Sequence, residues 1–215
     1  LLKKFYFDER KQEWLQFIHR DIQRLVLIVE DMLNISRIQS GRMKVDLRPL
    51  ALQEAMGELS AIKASTTKHP IQVQVAPGLP AVVADPDKLT QAIANLIDNA
   101  IKYSPNGGTI NIRAYYERDK GRVVISVQDH GMGIAAEEQQ HLFTMFHRIN
   151  RPETQGIRGT GLGLYIVKEL VELMRGEIWL ESELHQGTTF YFSLPALLTP
   201  ADTEPAMPAA GQASR

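Results

Sequence analysis

The sequence contains no cysteine in its 215 residues. Disulfides, zinc–thiolate sites and thiol catalysis are therefore excluded together, and a reducing, cytoplasmic setting is the expectation. No apolar run approaches the roughly 18 residues that a bilayer-spanning helix needs. No basic-then-apolar start leading to a small-residue cleavage site is visible. An excess of one charge is also missing: Lys+Arg number 24 and Asp+Glu 25, a net charge of -1. Generic binders of nucleic acid or acidic membrane need a basic surplus, so neither partner is expected. Any membrane attachment would come through segments upstream of this sequence.

What is present is ordinary for a globular protein, with 44% hydrophobic and 23% charged residues. Leu15, Ile18, Ile22, Leu25, Val29 and Met32 are spaced 3-4-3-4-3. That spacing is the seam of a helix that supercoils with partners, and Gly41 is its expected stop. One helix cannot bury such a seam by itself. It needs a second helix, a second chain, or packing on its own domain.

From residue 43 onward the pattern changes. A short strand is expected near Leu47 and Leu50, a helix over 52–67 and a strand through Ile71, Val73 and Val75. After an apolar stretch at 81–84, Asp87 is the expected cap of a helix running to Ile101. Strands are expected at 109–116 and 122–129, turning at Gly121. Helices follow over 135–146 and 161–174, with a polar loop at 148–159, and 177–182 and 188–194 form a closing hairpin. This order implies an α+β fold, a two-layer α/β sandwich with helices on one face of a mixed sheet. The Ala- and Pro-rich residues 199–215 read as a disordered tail.

Four segments depart from local rules. In Asn95-Leu96-Ile97-Asp98-Asn99-Ala100-Ile101-Lys102-Tyr103, Asn95 and Asn99 share a helix face and Lys102 extends it. Asn is a poor residue inside a helix. These amides either suit Mg²⁺ and phosphate or form a solvated face. Asp129-His130-Gly131-Met132-Gly133 places a carboxylate before two glycines. It is either a backbone cradle for a flat base or a capped turn. Gly159-Thr160-Gly161-Leu162-Gly163-Leu164 opens a helix with free N–H groups, a phosphate cradle that matches neither a dinucleotide fingerprint nor a Walker loop. Gln186-Gly187-Thr188-Thr189-Phe190 enters the last strand and reads equally well as a hairpin turn.

Taken together, these segments resemble the ATP-binding domain of two-component sensor histidine kinases, within the GHKL ATPase superfamily. They correspond to its N, G1, G2 and G3 boxes, and Phe143-Thr144-Met145-Phe146-His147-Arg148 resembles its F box. The order matches over roughly residues 11–195. The resemblance implies that Asn99 binds Mg²⁺ and that Asn95 faces the phosphates or their waters. Lys102 would contact phosphate, Tyr103 would lie against adenine, and Asp129 would accept its amino group. Gly131 and Gly133 would shape the base pocket. Residues 147–160, Gly159 among them, would form a mobile lid from which Arg148 reaches the γ-phosphate. The N–H groups of Gly161, Leu162 and Gly163 would hold the phosphate tail, and Thr188 would sit beneath the base.

ATPases of the superfamily carry Glu where this chain has Asn95, and an amide cannot act as a general base. The implied chemistry is therefore transfer of the γ-phosphate to a histidine, then to an aspartate of a response-regulator receiver domain. The implied assembly is a homodimer through a helical bundle. Residues 1–42 would be the partial bundle and 43–198 the catalytic domain. The family's acceptor box, His-Glu-x-Arg-Thr-Pro, does not occur here. His19 matches the second bundle helix instead. The box is expected to precede Leu1, so this stretch should not phosphorylate itself.

Overall fold

The computed structural model describes residues 9–53, 55–57, 67, 69–154, 157 and 159–198. The expected tail at 199–215, the helix end at 1–7 and most of the helix expected over 52–67 lie outside the described residues. Helix α1 spans Glu9–Gln39. It stops at the expected place, with Gly41 at φ 64° and Ser40 Oγ donating to the Ser36 carbonyl at 2.7 Å. The seam residues from Leu15 to Met32 are each 50–60% exposed, so this stripe has no cover here. No helix among the described residues is long and apolar enough to cross a membrane.

Strand β1 (Arg48–Leu50) pairs antiparallel with β3 (Val82–Ala84) in a small sheet. The main sheet has the order β2-β4-β5-β7-β6, built from β2 (Ile71–Val75), β4 (Ile110–Glu117), β5 (Arg122–Gln128), β6 (Glu177–Glu183) and β7 (Gly187–Pro195). The pair β2–β4 is parallel and the others are antiparallel, so the sheet is mixed as expected. In β2, Ile71, Val73 and Val75 are half-buried while Gln72 and Gln74 face solvent, the period-two alternation of a strand covered on one side. Central β5 is buried from Val123 to Val127, which explains why this stretch is apolar except at Ser126.

Helices α2 (Pro86–Lys102) and α4 (Gly163–Leu173) lie together on one face of the sheet. Leu89, Ile93, Leu96 and Ile97 of α2 and Val167 and Val171 of α4 are fully buried against Ile112, Ile125 and Phe192. The two-layer sandwich is therefore the observed architecture.

Three local expectations are corrected. The cap of α2 is Asp85, not Asp87. Asp85 Oδ1 accepts from the Asp87 and Lys88 N–H groups at 3.0 and 3.2 Å, and Pro86 occupies the first turn, where no N–H is needed. The helix expected over 135–146 is only one turn, α3 (Ala136–Gln139). It lacks a side-chain cap, and the chain continues in i→i+3 turns to Phe146, whose φ of 61° no helix admits. The last helix begins at Gly163 rather than residue 161, because Gly161 takes φ 74°.

Asp85 also joins the two parts of the fold, since its Oδ2 accepts from the Asp46 N–H at 2.9 Å. Burial would raise its pKa, but the three N–H donors, from Asp46, Lys88 and Asp87, outweigh burial and hold it below the ordinary aspartate value. A depressed folded-state pKa stabilises the fold above the unfolded-state pKa of about 3.9 and ceases to do so as the pH falls through the folded value. Asp85→Ala should therefore lower unfolding free energy by about 1–2 kcal/mol at neutral pH. In urea titrations this deficit should shrink on acidification below pH ~4.

Candidate functional site

The two faces of α2 do different work. Leu96 and Ile97 point into the core, while Asn95, Asn99 and Lys102, spaced by four and three residues, line a cavity of about 400 Å³. Asp129, immediately after β5, faces the same cavity, as do Tyr103, Gly133, Arg148, Gly159, Gly161, Gly163 and Thr188. The α2 strip, the Asp129 loop and the turn before α4 thus converge on one space.

Asp129 is 5% exposed. Its Oδ1 accepts from the Gly131 N–H at 2.8 Å and the Thr188 N–H at 3.3 Å. Its Oδ2 accepts no bond among the described residues and remains as an acceptor for a ligand. Burial pushes the carboxyl above the ordinary aspartate value, although the two N–H donors pull the other way. Burial likewise raises the Tyr103 phenol, which stays neutral. The Asp129 loop is held from below: Ser182 Oγ donates to the Gly187 carbonyl at 2.9 Å and accepts from the Ile134 N–H at 2.9 Å. Gly187, with φ 103°, lets β7 pass close under the loop, since a Cβ there would lie 2.9 Å from His130 Cα.

Two expected site residues stand behind the cavity rather than in its wall. Gly131 backs onto the α2 terminus, where a Cβ would collide with the Tyr103 carbonyl and lie 2.7 Å from Ser104 Oγ. Leu162 is fully buried against Ile166 and Leu170, and its N–H donates to Thr160 Oγ1 at 3.2 Å. That N–H is thus already bound within the glycine motif. No side chain caps α4 at Leu162, so the first turn beginning at Gly163 keeps open N–H groups beside the cavity.

In the described lid residues, Arg148 Nη2 donates to the Ile157 carbonyl at 2.7 Å. Arg151 pairs with Glu138 of α3, and Thr154 Oγ1 donates to the Ile149 carbonyl at 2.7 Å. Sequence reasoning missed Leu27 and Asp31, which reach the cavity from α1. Asp31 Oδ2 accepts from Thr160 Oγ1 at 3.5 Å. It also missed Ser182, whose local sequence is that of an ordinary strand residue.

Residues 84–198, which contain every wall of the cavity except α1, match the family described as "Histidine kinase-, DNA gyrase B-, and HSP90-like ATPase". The chain belongs to this family. Its relatives include sensor histidine kinases. The circadian input-output histidine kinase CikA of Synechococcus elongatus is 33% identical over 93% of this chain and 27% of its own length. Sensor histidine kinase WalK of Bacillus subtilis is 33% identical over 85% of this chain and 30% of its own. The chain therefore spans less than a third of either relative. Among solved structures, full-length ShkA in complex with AMPPNP has a TM-score of 0.74 at 27% identity, covering 88% of this chain and 40% of that one. The mycobacterial sensor histidine kinase MprB has a TM-score of 0.59 at 28% identity, covering 70% and 98%.

The tight seat of Gly131 makes it a test of how this ATPase-family site is supported. Gly131→Ala must displace the Tyr103 carbonyl, which also accepts from the Met132 N–H at 3.0 Å. It should destabilise the fold by about 1–3 kcal/mol in urea titrations. Gly163→Ala, with open space at its Cβ position, should change stability by less than about 1 kcal/mol.

Proposed function

We propose that the chain binds ATP with Mg²⁺ in this cavity and delivers the γ-phosphate to a histidine, as the catalytic part of a sensor histidine kinase. The observation that carries this reading is the convergence of Asn99, Asp129 and Gly161 on one cavity. Asp129 Oδ2 accepts the adenine amino group, and Tyr103 lies beside the base. Lys102 and Arg148 supply positive charge to the phosphates, and the N–H groups of the turn and first residues of α4 hold the phosphate tail.

The donor set at the phosphate end fits Mg²⁺. Among the described residues no cluster of three His, Cys, Asp or Glu is present. Asn99 offers a hard amide oxygen, with Asn95 one turn away. Mg²⁺ is commonly held in just this way, by few protein ligands together with substrate phosphates and waters. When bound, it neutralises charge on the transferring phosphate. Asn95 cannot take a proton from water, so the residues position and screen the phosphate for another nucleophile rather than hydrolyse ATP.

The acceptor is an imidazole in the context His-Glu-x-Arg-Thr-Pro, which this sequence lacks. It follows that residues 1–215 do not phosphorylate themselves. The exposed α1 seam supports a homodimeric bundle, with 1–42 as its partial contribution and 43–198 as the catalytic unit. A receiver-domain aspartate takes the phosphate from that bundle. The cytoplasm is the matching compartment, whether or not the parent protein is anchored in a membrane.

Calorimetric titration tests the site. Asp129→Asn should weaken Mg–ATP binding at least about tenfold, or ~1.4 kcal/mol, because the amide can present a donor to the adenine amine. Adenosine affinity should fall on acidification, beginning above the ordinary aspartate range because the Asp129 pKa is raised, and Asp129→Asn should abolish this dependence. Asn99→Ala should remove the Mg²⁺ contribution to ATP affinity. Mixed with a chain carrying the acceptor box, the protein should yield an acid-labile phosphate on that chain; an acid-stable product would contradict the histidine reading.

A further inference from the structure

Helix α1 carries a second stripe that diverges from the exposed seam at Leu27 and returns to its edge at Gln39. Leu27, Asp31, Ile35 and Gln39 recur every four residues, one ridge of an α-helix. All four meet the nucleotide-site half of the molecule. Asp31 lines the cavity, and Leu27 reaches it while remaining 60% exposed. Ile35 is buried against Leu162, Ile166 and Leu170. Gln39 Nε2 donates to Met145 Sδ at 3.8 Å, and the same side chain hydrogen-bonds Tyr165.

Within this ridge Asp31 is out of place by polarity. The carboxylate lies one turn from a buried isoleucine, and partial burial raises its pKa. Thr160 donates to it at 3.5 Å, and the positive charge of Lys102 favours it less than the neighbouring Glu30 carboxylate opposes it. Thr160 belongs to the glycine turn and Lys102 to the α2 strip, the two elements assigned above to the phosphates. The carboxylate thus faces groups that a phosphate would use, with one long hydrogen bond on Oδ2 and no ion pair to Lys102 within 4 Å. Two anions in one cavity repel each other, and one set of donors cannot serve both fully.

We propose that Asp31 is a built-in competitor for the phosphate end of the cavity: with α1 docked along its Leu27–Gln39 ridge the site disfavours a nucleoside triphosphate, and a bound triphosphate releases the ridge. This rests on the nucleotide reading above and adds regulation to it. Linkage makes the device reciprocal, so whatever lifts α1 raises triphosphate affinity by the factor with which the triphosphate favours lifting. A mechanical signal travelling along α1 thereby reaches the ATP site through one side chain.

The full chain provides the test, with adenosine and Mg–AMPPNP as probes in calorimetry. Asp31→Asn keeps the side-chain shape and removes the charge. It should tighten AMPPNP binding about fivefold or more, the low end of ordinary coupling between linked equilibria, and leave adenosine within about twofold. Unchanged or weaker AMPPNP binding would overturn the competition. The absence of native cysteine permits a second readout: spin labels at Arg37→Cys on α1 and Glu172→Cys on α4 should move apart when Mg–AMPPNP binds and stay in place with adenosine. A fixed distance with AMPPNP bound overturns the release. If the unaltered chain binds neither probe, the nucleotide reading fails and the competitor with it; binding that ignores Asp31 removes only the competitor.

Discussion

The site depends on two backbone N–H groups that meet on one carboxylate oxygen. Gly131 N–H and Thr188 N–H both donate to Asp129 Oδ1, and the Asp129 N–H donates to the Thr188 carbonyl at 2.9 Å. These bonds tie the loop after β5 to the entry of β7, segments about sixty residues apart. They leave Oδ2 aimed at bonding elsewhere, in a setting where burial makes an unpaired carboxylate expensive. In the proposed function a ligand donor at that oxygen would supply the missing bond, so the constraint that holds the loop would also favour binding.

The glycines follow from that constraint. Gly131 and Gly187 are small because other backbone runs where their Cβ atoms would be: the Tyr103 carbonyl at one and the Asp129–His130 segment at the other. The sheet, the α2 terminus and the loop can approach so closely only with hydrogen at these positions. Gly161 plays a similar part between the lid and α4, where a Cβ would lie 2.8 Å from the His147 carbonyl. Helix α2 connects this frame to the core, with Leu96 and Ile97 fixing its rotation so that Asn95 and Asn99 face the cavity.

Helix α1 links the catalytic half to the bundle it would join. Its seam lies open to solvent, while its second ridge rests on α4 and at the cavity. In the proposed function, two equilibria, bundle assembly and nucleotide binding, would therefore share one rigid element. Such an element passes on a change at one face because the two faces cannot move separately.

Much of this was legible in residue order alone. The period-two pattern of Ile71, Val73 and Val75, the largely apolar β5 and the 3-4 seam of α1 rest on spacing along a single element, which sequence reports directly. That Asn95, Asn99, Asp129 and the glycine turn belong to one site came from the family resemblance of their motifs, and the fold brings them to one cavity. Gly131 and Leu162 lie behind the cavity rather than in its wall, which spacing could not tell, because it depends on which backbone passes behind them. The one-turn length of α3 and the choice of Asp85 over Asp87 as cap depend on backbone geometry, the turns up to Phe146 and the N–H groups that Asp85 Oδ1 meets, which residue types alone leave open. Asp31 left no local sign at all. A lone acid on a charged helix becomes an occupant of the cavity only when α1 lies across α4, and that packing exists in three dimensions alone.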